Sequence, residues 1–181
     1  FNLISLLSWD TNFWGFPVSL ITSRRLTKNI SYRVNLYLKI NNIKLVQYLC
    51  DCHDRNSVEI VEKNKYQFKD IRLTFEKTLN KPNNINKFHK GFRRAFIEET
   101  QYIQNMAQSL YLDSRYYFDK NFDRKKVQEF YMEWIYKAIH QTYDDDCFVI
   151  CRDDQPVGYC TLKYLNKTIL NLNPQMLPNI T

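Results

Sequence analysis

The chain has 181 residues, of which 44% are hydrophobic, and this apolar content excludes a disordered chain and suffices for one real core, or one core with a smaller lobe. A formal net charge of +7 favours anionic partners: a nucleotide-linked metabolite, a phosphorylated cofactor or nucleic acid. No apolar run reaches membrane-spanning length, and Phe1–Leu7 is too short and lacks the basic flank of a secretory leader, so the expectation is a cytoplasmic protein without a membrane partner.

In chain order, the first informative segment is Trp9-Asp10-Thr11-Asn12-Phe13-Trp14-Gly15. Asp and Asn around a Thr favour a side-chain-capped turn whose aromatics plug a small core, and Gly15 with Pro17 sets the exit into Val18-Ser19-Leu20-Ile21. Ile30 to Ile40 carries clustered and alternating apolar residues, and Asn41 to Leu49 predicts a short amphipathic helix. Ser57 to Val61 and Tyr66 to Phe75 predict strands. In the second, Tyr66 and Phe68 share a face, and the parity shifts after Asp70 so that Ile71, Leu73 and Phe75 continue it. Such a shift implies a bulge, which re-aims side chains near sites, and Asp70 stands there.

The polar, proline-bearing Lys81-Pro82-Asn83-Asn84-Ile85-Asn86-Lys87 predicts a linker over 81–90, between an N-terminal αβ lobe (1–80) and a second lobe (91–181). Gly91 to Ile97 predicts a strand, and Thr100 caps a helix through Ile103, Met106, Ala107 and Leu110 that ends near Tyr111. Behind Asp123 as N-cap, Val127, Phe130, Tyr131, Trp134, Ile135, Ala138 and Ile139 recur at helical spacing towards Tyr143. Cys147 to Cys151 predicts a buried strand, Arg152 to Pro156 a hairpin loop, Val157 to Leu165 the return strand, and Thr168 to Leu172 a further strand.

The five cysteines lack the paired spacings of zinc or redox sites, and Cys50-Asp51-Cys52-His53 has no second ligand pair, so no metal site is predicted. Cys160 reads as inert core, and His53, His89 and His140 as isolated surface or helix-end side chains. Lysines and arginines are scattered along the chain, which argues against a dedicated nucleic-acid arm.

The order strand, helix, helix, strand, hairpin return, strand, with Asp154-Gln155-Pro156-Val157-Gly158-Tyr159-Cys160-Thr161-Leu162, resembles the first half of a Gcn5-related acetyltransferase (GNAT) core. Trp9 to Gly15, Ser114-Arg115-Tyr116 and Phe130-Tyr131-x-x-Trp134-Ile135 extend the resemblance, in matching order, to the members that acetylate nucleotide-linked aminosugars for surface glycans. The resemblance implies an α/β fold of the α+β kind: a GNAT-like mixed sheet flanked by helices, preceded by the small lobe. It implies acetyl transfer from acetyl-CoA to the amine of a nucleotide-linked sugar, with no nucleic-acid partner and a homodimer among the expected assemblies.

Such a reaction needs a base for the amine, a backbone donor for the thioester oxyanion and an acid for the departing thiolate. Members of the family place a Glu after an aromatic-x-apolar-x pattern; here Tyr66-Gln67-Phe68-Lys69-Asp70 occupies it, which implies Asp70 as base, one methylene shorter and acting through a water. The resemblance also implies substrate binding by Trp14, Arg115 and Tyr116, and a thioester faced by the backbone of Leu170, Asn171 and Leu172. On residue type alone, Asp70 is equally a solvated carboxylate beside Lys69 or Arg72, and Ser114 to Tyr117 a polar loop.

The chain departs from the family where the CoA pyrophosphate needs a glycine-rich turn at a helix start. It has only Gly15, Gly91 and Gly158, and stops at Thr181, so the expectation is a core incomplete at its C-terminus with little or no catalysis. A non-catalytic binding module on the same fold is the competing reading, and a basic nucleic-acid binder the third.

Overall fold

Ser8 to Trp14 forms a helix rather than the expected turn, and Gly15 terminates it in the left-handed region at φ 78°. A computed structural model describes residues 3–76, 78, 91–142 and 146–164. They form an α/β protein of the α+β kind with two three-stranded sheets, as expected for the fold class, and the chain divides into two compact units, Phe1–Phe75 and Glu76–Thr181. The linker segment 81–90 and the strand expected at Thr168 to Leu172 lie outside the described residues.

The first unit runs β1 (Ile4–Leu6), α1 (Ser8–Trp14), β2 (Val18–Ile21), α2 (Lys28–Ile40), β3 (Leu45–Tyr48) and α3 (Arg55–Lys63). β2 is central, antiparallel to β1 and parallel to β3. The Thr11 hydroxyl accepts a hydrogen bond from the Val18 amide at 3.0 Å and so fixes the path from α1 into β2. Thr27 caps α2 by accepting from the Ile30 amide at 3.2 Å. Ile4, Ile21, Leu26, Val34 and Ile60 are buried together, with Tyr66 packed against them.

Three further expectations for this unit are corrected. Asn41 to Leu49 holds β3 and not a helix, because Leu45 to Tyr48 finds parallel partners in Val18 to Ile21. Ser57 to Val61 is helical, because Ser57 and Ile60, three residues apart, turn inwards together. The Ser57 hydroxyl accepts from the Leu26 amide at 2.7 Å and donates to Asp54, tying α3 to the entry of α2. Tyr66 to Phe75 is irregular backbone without a ladder partner among the described residues, so no strand bulge exists at Asp70.

The second unit runs β4 (Phe92–Arg94), a single tight turn (Ile97–Glu99), α4 (Thr100–Leu110), α5 (Arg115–Phe118), α6 (Arg124–Ile139), β5 (Asp146–Arg152) and β6 (Gln155–Leu162). Its sheet is antiparallel throughout, in the order β4-β5-β6. Asp123 caps α6, its carboxylate accepting from the Lys126 amide at 2.9 Å. Ile103 and Ala107 of α4, Ile135, Ala138 and Ile139 of α6, and Cys147 and Val149 of β5 bury one another, which places both long helices on one face of the sheet. Truncating a fully buried side chain such as Ile135 to Ala would cost about 2–5 kcal/mol.

Asp153 and Asp154 both adopt positive φ, 49° and 61°, the two-residue turn whose twist matches an antiparallel hairpin. Along β5, Cys147 and Val149 point inwards while Ile150 is 55% exposed. Cys160 is exposed and not core, since it lies on the outer face of β6. The expected strand at Gly91 to Ile97 is confined to Phe92–Arg94, and α6 ends at Ile139 rather than near Tyr143.

Candidate functional site

Ser114 opens α5, its hydroxyl accepting from the Tyr117 amide at 3.3 Å, and this cap sets the directions of the next three side chains. Arg115 is exposed, with its guanidinium carbon 4.8 Å from the centre of the Tyr116 ring. Arg124, at the start of α6, lies 3.7 Å over the neighbouring Tyr117 ring. Two planar cations are thus held on adjacent tyrosines with donors left to offer, an arrangement suited to phosphate or carboxylate oxygens.

Tyr116 does not serve as expected. It is 2% exposed and meets Phe122 and Phe130 edge-on at 5.1 and 4.9 Å, so its ring is core and cannot stack a base or sugar. Trp14, in the first unit, is likewise 5% exposed and edge-on to Phe13 at 5.0 Å, which makes it the aromatic plug rather than a substrate contact. Asp70 is exposed in the irregular segment after α3; the neighbouring Lys69 ammonium donates to Gln67 at 2.8 Å. The structure brings Arg115 and Tyr116 together; Trp14 and Asp70 belong to the other unit, and Leu170, Asn171 and Leu172 lie outside the described residues.

A cluster to which the sequence analysis gave no site role lies where α4 ends against α6 and β6. Tyr111 stacks on Tyr131 with ring centres 4.0 Å apart and planes 9° from parallel, and Trp134 is 6.1 Å from both. The Tyr159 hydroxyl, from β6, donates to the Tyr111 hydroxyl at 3.1 Å. Burial, and then the bond to Tyr111, push the Tyr159 pKa far up, so the phenol stays neutral and serves as a hydrogen-bond donor, never as a base at ordinary pH. The sequence signal was the Tyr131 and Trp134 spacing; Tyr159 carried none, because its partner is 48 positions away.

Two polar arrangements frame the sheet. The Arg93 guanidinium grips the Glu99 carboxylate through two bonds of 2.8 and 2.6 Å, and Glu99 also accepts from the Phe96 amide at 2.9 Å. Arg93 thereby holds the Glu99 carboxyl below its ordinary range. Asp146, buried at 2% exposure, accepts from Arg94 at 3.0 Å and from the Tyr164 hydroxyl at 2.7 Å. That bond raises the Tyr164 pKa, with burial adding to it.

Among the described residues, no group of three or more His, Cys, Asp or Glu could hold a metal ion. Burial, then the carboxylates of Asp54 and Asp51, push the Cys50 thiol up and away from thiolate character.

The glycines of the described residues do not fit the pyrophosphate of acetyl-CoA. Gly15 ends a helix, Gly158 is inside β6, and at Gly91 (φ 103°) an added Cβ would stand 2.6 Å from the Cys151 carbonyl oxygen, so its space is taken by the next strand. No protein-family model matches the chain, and no curated protein matches it either. Among the described residues, no helix is long and apolar enough to cross a membrane.

Proposed function

We propose that the chain is a Gcn5-related N-acyltransferase whose acceptor is the amine of a nucleotide-linked aminosugar and whose donor is acetyl-CoA. One observation carries the reading: the second unit runs strand, two long helices, then an antiparallel hairpin whose first strand pairs back onto the opening strand. With both helices packed on one face of that sheet, this is the arrangement that the first half of such a core requires. Fold alone hosts many functions, so the site must bear the claim. In this proposal Arg115, in the second unit, holds the nucleotide's phosphates. The glycines of the described residues form no cradle for the donor's phosphates.

A nucleotide-sugar substrate suits the cytoplasm, and the five free thiols suit its reducing conditions. That the described residues carry no such cradle favours a second reading, a non-catalytic module that binds the acceptor on the same fold. Calorimetry with a dTDP-linked aminosugar and with acetyl-CoA, followed by a thiol-release assay, tests both. Binding of the nucleotide sugar that Arg115→Ala weakens is expected of both; release of CoA thiol supports the first and excludes the second, and sugar binding without it excludes the first. Absence of heat with either ligand overturns both.

A further inference from the structure

The net charge is concentrated in one stretch of the first unit. Residues 11–50 contain six lysines and arginines, Arg24, Arg25, Lys28, Arg33, Lys39 and Lys44, and no Asp or Glu. All six are exposed, and among the described residues none is in an ion pair. This stretch alone supplies nearly the whole net charge of +7.

Within that stretch, α2 has two apolar faces. Its inner face, Ile30, Val34 and Leu38, belongs to the core of the first unit. Its outer face carries Tyr32, Leu36 and Ile40, at i, i+4 and i+8, exposed to 70, 46 and 71%. On a helix of 3.6 residues per turn, Tyr32 and Ile40 lie about 40° to either side of Leu36, while Lys39 and Arg33 flank that stripe at about 60° on opposite sides. Long cationic side chains at the edges of a narrow apolar stripe extend away from it while their stems add to it.

We infer that the outer face of α2 docks peripherally on an anionic lipid surface, with Leu36 and Ile40 entering the headgroup boundary and Lys28, Arg33 and Lys39 meeting lipid phosphates. Charge complementarity selects this occupant. A second copy would bring an equally cationic stripe against this one and be repelled. A nucleic-acid backbone would match the charge and leave Leu36 and Ile40 in water. A lipid surface meets both, and needs no matching relief. The inference stands apart from the acyltransferase reading, because it uses none of its residues.

Co-sedimentation of the full chain with vesicles of phosphatidylcholine alone, or with added phosphatidylglycerol, tests it. Binding is expected only to the anionic vesicles and is expected to weaken with salt. Arg33→Gln with Lys39→Gln should lower partitioning by about fivefold per charge removed. Leu36→Ser with Ile40→Ser should lower it by about tenfold or more. Both pairs are exposed, and unchanged circular dichroism confirms that the fold is retained. The inference is overturned by no binding to anionic vesicles, by equal binding to neutral ones, or by indifference to either pair. It is equally overturned by self-association that the serine pair abolishes, or by DNA binding that the glutamine pair alone removes.

Discussion

Tyr159 and Tyr111 share one hydrogen bond, hydroxyl to hydroxyl over 3.1 Å, and it links the return strand of the hairpin to the end of α4. Each ring is anchored separately: Tyr111 by its stack on Tyr131, Tyr159 by burial in the cluster beneath the sheet. The bond therefore fixes a strand against a helix at the point where the two long helices meet the sheet. Tyr159→Phe keeps the ring and removes the donor, and should cost about 1 kcal/mol in urea unfolding. Because the folded state holds Tyr159 above its ordinary pKa, its contribution is complete below the unfolded tyrosine pKa and is lost as pH rises towards the folded value. Alkaline ultraviolet titration should show at least one tyrosine, Tyr159 among them, that ionises only with unfolding. A tyrosine complement that titrates fully in the folded protein would contradict the buried pair.

The Arg93 and Glu99 pair makes the opposite prediction with pH. The folded state holds the Glu99 carboxyl below its ordinary value, so its stabilisation is complete above the unfolded carboxyl pKa and disappears as pH falls through the folded one. Glu99→Gln should lower stability by about 1–2 kcal/mol at neutral pH. The gap between mutant and parent should close in strong acid, which chemical denaturation at two pH values would measure.

Gly91 and Gly158 should respond differently to the same substitution. At Gly91 a Cβ meets the Cys151 carbonyl oxygen at 2.6 Å while φ is 103°, and the Gly91 carbonyl already accepts the Cys151 amide. Gly91→Ala should cost about 2–4 kcal/mol, since both clash and backbone strain must be absorbed. Around Gly158 no atom lies within 4 Å of the added carbon, so Gly158→Ala should leave the melting temperature nearly unchanged. Equal losses at both sites would refute the close approach at Gly91.

Arg115 and its neighbour Tyr116 separate binding from packing. Arg115 is exposed, so Arg115→Ala should weaken nucleotide-sugar binding by about tenfold while leaving stability within about 0.5 kcal/mol. Tyr116 is 2% exposed among Phe122 and Phe130, so Tyr116→Ala should destabilise by about 3–5 kcal/mol, whatever it does to ligand. Calorimetry and thermal melts on the two variants, read side by side, check the division. A Tyr116 variant of parental stability would return that ring to the list of ligand contacts.

By itself the sequence determined the two long helices and the hairpin of the second unit. Asp123 announces α6 because a short carboxylate can satisfy an orphan amide within one turn, and Val127 to Ile139 recur at the period of a helix. The hairpin of β5 and β6 was equally legible, because its partners are neighbours along the chain. The first unit was not legible in this way. Ser57-Val58-Glu59-Ile60-Val61 carries strand-forming residues, and only the burial of Ser57 against the Leu26 amide, 31 positions away, makes it helical. Leu45 to Tyr48 becomes a strand because β2 lies alongside, a long-range parallel pairing that no local pattern encodes. The candidate site follows the same rule. Composition and spacing nominated Trp14, Asp70, Arg115 and Tyr116 as chemistry-bearing types, but whether a ring faces ligand or core depends on what packs over it. Tertiary packing decided that Trp14 and Tyr116 are buried and Arg115 is not. It also set Tyr159 against Tyr111 and Asp146 against Arg94, because those pairs form between elements that only the folded sheet brings within hydrogen-bond reach.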